Sequence, residues 1–148
     1  MLPLAGCSLM DDPAPDTLPP DGVSLPILRQ WSKPHCHENR PLRLTIRNER
    51  DLTQIPLEDF DVNFSEEMLL IVTLGRTYSD QYRISFDALR REGGELIADV
   101  TIQDPPAGAP LTVSCPYGVA VVPRCDLPVR GFSNRPPPRR RSWSQSGA

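Results

Sequence analysis

The chain has 148 residues, a hydrophobic share of 39%, 18 prolines, 16 basic and 19 acidic side chains, and a formal net charge of −3. That length fits one domain with tails better than two domains, and the hydrophobic share lies below the usual ~45–50%. The charge gives no basic field suited to duplex nucleic acid, and no apolar run reaches the ~20 residues a membrane-spanning helix needs.

The deviations from average composition sit at the ends. Residues 1–22 carry Pro3, Pro13, Pro15, Pro19 and Pro20 with Asp11, Asp12, Asp16 and Asp21, and no Lys or Arg. Residues 133–148 carry Pro136, Pro137 and Pro138 with Arg135, Arg139, Arg140 and Arg141, and no acid. Neither composition buries enough apolar surface to offset ordering entropy, so both read as disordered tails, the first an acidic spacer and the second a basic one. Between them the sequence predicts a lead-in segment at 23–39 and an all-β domain over 40–132.

Leu4, Ala5, Gly6 and Cys7 have the form of a bacterial lipobox, in which small residues precede a cysteine that takes a diacylglycerol anchor. The Pro- and Asp-rich stretch that follows suits a flexible spacer off a membrane. A signal peptide also needs a basic segment and a 7–15-residue apolar run, and only Met1–Gly6 stands before Cys7. The lipid-anchored reading therefore expects the true start to lie upstream; the competing reading is a cytoplasmic domain with an unrelated leader. With Cys7 lipidated, Cys36, Cys115 and Cys125 remain. Residues 116–124 read as one extended run, which at ~3.3 Å per residue would hold Cys115 and Cys125 about 30 Å apart, beyond disulfide reach. A bridge from Cys36 to one of them is the expected alternative to three buried thiols.

Within the domain, Leu42, Leu44 and Ile46 alternate with Arg43, Thr45 and Arg47, the period-2 signature of a half-buried strand. Residues 48–55 predict a short helix, with Asn48 as its cap, Asp51 three residues later and Pro56 ending it. Met68–Leu74 is nearly continuous apolar, as a strand covered on both faces requires, and Gly75 closes it. Tyr82, Ile84 and Phe86 share one face of the next run; Leu96, Ala98, Val100 and Ile102 share one face of the run after it, and Gly93 and Gly94 supply the turn. Residues 104–110 read as a loop, 117–122 as an apolar strand and 127–132 as a last edge strand. Five or six short strands and at most one short helix predict a small antiparallel β-sandwich or open barrel.

The catalytic inventory is thin. The two histidines, His35 and His37, flank Cys36 and would share one face of an extended segment. Two imidazoles fall short of the four ligands of a structural zinc site, and no second Cys/His pair stands at suitable spacing. Adjacent Cys and His residues do not face each other as a nucleophile and base must. Asp59, Asp61, Glu66 and Glu67 lack the spacing of a calcium loop, and no Gly-rich phosphate loop or nucleophile elbow is present. The sequence predicts no enzyme, no metal, no cofactor and no small-molecule substrate. What remains is loop surface: residues 75–82 display Arg76 and Tyr78, residue types that supply hot spots at protein interfaces.

At this loop the chain resembles the PrcB-type C-terminal domain. The resemblance rests on Asp59, Phe60, Asp61, Val62, Asn63 and Phe64, then Met68–Leu74, Gly75 and Tyr82, and loosely on Ser114, Cys115, Pro116 and Tyr117. It spans roughly residues 40–123. The family's Pro-Thr-Gly-Gly-Tyr-like turn is represented only by Thr77 and Tyr82, without its Pro or glycines. The resemblance implies a secreted or lipid-anchored accessory protein of the bacterial cell envelope. Such a protein stabilises or assembles a surface protease complex and has no catalysis of its own. The chain is also similar, in the same loop, to chagasin-like inhibitors of cysteine proteases, which present a Thr-Gly-Tyr-type loop on an immunoglobulin-like sandwich; here the glycine is missing.

Overall fold

The structure, a computed structural model, describes residues 19–57 and 60–137. Its strands are β1 (Ser24–Leu25), β2 (Arg29–Lys33), β3 (Pro41–Ile46), β4 (Glu67–Leu74), β5 (Arg83–Glu92), β6 (Glu95–Gln103) and β7 (Tyr117–Pro123), with a one-turn helix α1 (Glu49–Leu52) after β3. They form a three-stranded sheet in the order β1-β5-β6 and a four-stranded sheet in the order β2-β7-β4-β3. Every named strand pair is antiparallel. The molecule is a small all-β sandwich.

Alternation explains the hairpin β5–β6. Ile84 pairs with Ile102 and Phe86 with Val100, while Gly93 and Gly94 fill the two-residue turn between the paired Glu92 and Glu95. Gly93 adopts a φ of 63°, as tight hairpin turns demand and side-chain-bearing residues resist. The register shifts between Phe86 and Ala88. This bulge at Asp87 restores Leu89 to the inner face, where parity alone would have turned it outward.

The unbroken apolar run of β4 has the expected cause. Met68, Leu70 and Val72 enter the core between the two sheets, with Ile84, Phe86, Leu89, Leu96, Ala120 and Val122. Leu69 and Ile71 enter a second core on the opposite face, with Leu44, Ile46, Leu52, Ile55, Val119 and Val121. That second face is covered by α1 and by Leu57, Phe60, Val62 and Phe64, and the Phe60 ring meets Trp31 of β2 at 5.3 Å between centroids. Asn48 caps α1 as its position predicts, its side-chain oxygen accepting from the Asp51 amide at 2.7 Å. Where β7 passes under β5, Gly118 leaves no room for a side chain: a Cβ there would lie 2.6 Å from Ile84 Cγ2.

Two parts of the fold differ from the sequence reading. The 23–39 segment supplies a strand to each sheet, so the folded unit begins before residue 40. β2 does this through side chains as well as backbone. The Gln30 amide accepts from Phe86 N and donates to Phe86 O, and the Ser32 hydroxyl accepts from Ile84 N, which satisfies part of the β5 edge and closes one side of the sandwich. The other difference is at 127–132, expected as an edge strand. This segment crosses between the sheets instead, bridging Val129 to Leu96 of β6 and Ser133 to Leu44 of β3. It is a strap over the open side, and its apolar residues Val129 and Phe132 fill the inter-sheet core.

Candidate interaction surface

β4 ends at Leu74, β2 ends at Lys33 opposite Tyr117, and β5 begins at Arg83 opposite Gln103. These ends lie at one pole of the sandwich, so the loops 34–40, 75–82 and 104–116 gather there. Gly75 starts the 75–82 loop with a φ of 74° and close packing, a Cβ at this position lying 3.1 Å from Asn39 O and from Pro41. Its left-handed conformation and that approach together exclude other residues.

The loop then folds onto residue 114. Thr77 N donates to Ser114 O at 2.7 Å and Ser114 N to Thr77 O at 2.9 Å, while Thr112 N donates to Tyr78 O at 2.9 Å. The hydroxyls add a second layer. Ser114 Oγ donates to Ser79 O at 2.7 Å, Thr77 Oγ1 lies within reach of Ser79 O, Ser114 O and Ser114 Oγ, and Ser79 Oγ accepts from Gln81 N. Ser79 and Ser114 are buried, so these bonds are shielded from competing water. A loop with no regular structure is thereby held in one conformation.

That conformation displays the predicted pair. Arg76 is exposed, and Tyr78 is 64% exposed. The antiparallel bridge between Thr77 and Ser114 sets Tyr78 opposite Val113, and Val113 and Leu111 are 54% and 87% exposed. Arg76, Tyr78 and Leu111 line one shallow concavity with Tyr82, Pro105 and Pro106. The result is an aromatic ring, two aliphatic side chains and a guanidinium on a rigid base. Leu111 and Val113 were not singled out from the sequence. The signal was available, because Leu111, Thr112 and Val113 alternate between Pro110 and Ser114.

The His-Cys-His segment lies beside this surface. His35 and His37 are exposed and Cys36 is half-buried against the second core, the opposition of faces expected of an extended segment. Burial, with smaller contributions from Cys115 and Glu38, pushes the Cys36 thiol up to about 11, against a backbone hydrogen bond to Glu38 O that lowers it. At neutral pH this thiol is protonated and a poor nucleophile. Next to it, buried Glu38 accepts from Arg40 N, Nε and Nη2, and that bonding raises the Arg40 pKa. Among the described residues no group of three or more His, Cys, Asp or Glu side chains is placed to hold a metal ion. Of the acids Asp61, Glu66 and Glu67, Glu67 at the first position of β4 accepts from Arg29 and from the Asn63 amide. Asp59 lies outside the described residues, as does the lipobox cysteine Cys7.

Cys36, Cys115 and Cys125 are free thiols in this structure, so the expected bridge from Cys36 is not formed. Cys125 belongs to the inter-sheet core beyond the far end of β7, whereas Cys115 precedes the near end. No family model, no curated protein and no solved structure matches the chain.

Proposed function

We propose that this chain is a non-enzymatic protein-binding domain of the bacterial cell envelope, engaging its partner through Arg76, Tyr78, Leu111 and Val113. One observation carries the reading: exposed Tyr78 and Val113 stand opposite each other on loops fixed by the buried Thr77–Ser79–Ser114 hydrogen bonds. Pre-organised aromatic and arginine side chains lose little conformational freedom on binding, which is the property of interface hot spots. The resemblance to PrcB-type domains supports a protease complex as the partner and catalysis as the partner's task. The lipobox around Cys7 supports a lipid anchor, with the acidic spacer carrying the domain off the membrane.

Pull-down from a bacterial envelope extract with the immobilised chain tests the reading. A specific partner should be retained by the wild type and lost with Arg76→Ala/Tyr78→Ala. Equal retention by both would remove the loop from the account. Titration against a papain-type protease tests the chagasin-like alternative, and no inhibition at micromolar concentration would eliminate it. Labelling of a chain expressed with an export signal by a palmitate analogue, absent in Cys7→Ser, is expected if the anchor forms.

A further inference from the structure

We propose that Cys36 and Cys115 are a disulfide pair, and that oxidation closes a covalent bridge between the 34–40 loop and the segment leading into β7. Two features of the fold bring them together. β2 and β7 pair antiparallel as far as Lys33 and Tyr117. Cys36 follows three residues after Lys33 and Cys115 stands two residues before Tyr117, so the two chains leave the sheet side by side with a thiol on each. Tyr117, Val119 and Val121 point into the second core, and Cys36 packs against that same core. Cys115, two residues before Tyr117, is itself buried.

The turn after Cys36 ties the pair further. Cys36 Sγ donates to Glu38 O at 3.6 Å, and Cys115 Sγ donates to the Asn39 side-chain oxygen at 3.1 Å, so both thiols bond consecutive residues of one turn. The charge of a Cys115 thiolate contributes to raising the Cys36 pKa. Cys125 has none of these relations, since it sits at the opposite end of β7 in the other core. The inference does not rest on the proposed function.

The chemistry is thiol–disulfide exchange with a small-molecule disulfide such as oxidised glutathione. One protein thiolate attacks a sulfur of the oxidant and expels a glutathione thiolate, giving a mixed disulfide. The second protein thiolate then attacks the protein sulfur and expels the second glutathione. Two protein thiols are oxidised to one S–S bond, one glutathione disulfide is reduced to two thiols, and the two protons pass to solvent and the leaving thiolates. Burial of Cys36 in its protonated form makes the reaction slow at neutral pH and faster as pH rises.

Incubation of the reduced full chain with oxidised glutathione, alkylation of residual thiols and tryptic digestion without reduction tests the pairing. Trypsin places Cys36, Cys115 and Cys125 on different peptides, since Arg124 separates the last two and the Lys33–Pro34 and Arg40–Pro41 bonds resist cleavage. The peptide containing Cys36 is expected joined to the peptide containing Cys115, and the joined species should vanish in Cys36→Ser and persist in Cys125→Ser. The oxidised chain should unfold at a temperature higher by on the order of 10 °C, because the bridge closes a long chain loop. Recovery of Cys36 alkylated after prolonged oxidation, or joined to Cys7 or Cys125, would overturn the proposal.

Discussion

The two poles of the sandwich are built from similar materials and put to opposite uses. At the strap pole, half-buried Arg47 donates to Cys125 O, Leu127 O and the Asn134 side chain, and Arg124 Nη1 donates to Arg47 O and Phe64 O. Guanidinium groups there satisfy backbone carbonyls, and burial, helped by the like charge of Arg124 and opposed by the Asp126 carboxylate, lowers the Arg47 pKa. At the loop pole, small hydroxyls do the fixing, and Arg76 and Tyr78 point outward. An arginine turned inward holds the fold shut. An arginine turned outward on a fixed loop is free to meet a partner.

The largest effect that would sharpen this contrast is expected at the strap. Arg47→Ala leaves the carbonyls of Cys125 and Leu127 without their donors, and should destabilise the domain by about 2–4 kcal/mol in urea unfolding. A loss below about 0.5 kcal/mol would break the comparison. Ser114→Ala removes the buried donor to Ser79 O at the loop pole. It should cost about 1–2 kcal/mol and speed amide exchange in residues 77–81 more than elsewhere. Beneath the strap, Thr45 is fully buried and its hydroxyl has no hydrogen-bond partner among the described residues. Thr45→Val should therefore be neutral or stabilise by up to about 1 kcal/mol, since nothing is lost by removing an unsatisfied hydroxyl.

A smaller effect concerns pH. Burial pushes the folded-state pKa of Cys36 up to about 11, above the ordinary thiol value of 9.0. The folded state thus favours the protonated thiol, so this contribution is fully present below pH 9 and is lost as pH rises toward 11. Urea midpoints of the reduced wild type should fall more steeply across that window than those of Cys36→Ser. Parallel slopes would show that Cys36 is not buried as the structure places it.

How much of this was legible beforehand depended on how local the cause was. The hairpin β5–β6 and the run Met68–Leu74 were readable because their periodicity reports directly on which faces are buried. The Asn48 cap was readable because its partner is three residues away. β2 was not, since Arg29–Lys33 has a single large apolar residue, Trp31, and its Gln30 and Ser32 serve the backbone of β5, far away in sequence. Periodicity presents the strap as an edge strand, since its partners, Leu96 and Leu44, belong to different sheets and periodicity carries no information about that. Arg76 and Tyr78 were found by residue type in a loop. The alternation of Leu111, Thr112 and Val113 is local, but that it and Ser114 lie against Thr77 and Tyr78, more than thirty residues earlier, is a pairing local patterns do not report.

The central claim is that Arg76 and Tyr78 at the loop pole serve binding and not stability. It is tested most directly by titrating the purified captured partner with wild type, Arg76→Ala/Tyr78→Ala and an exposed strap-pole control, Arg130→Ala. The double variant should bind at least about tenfold more weakly while its unfolding free energy stays within about 0.5 kcal/mol of wild type, and the control should match wild type in both. Undiminished affinity in the double variant, or a loss of affinity that follows a loss of stability, would contradict the account.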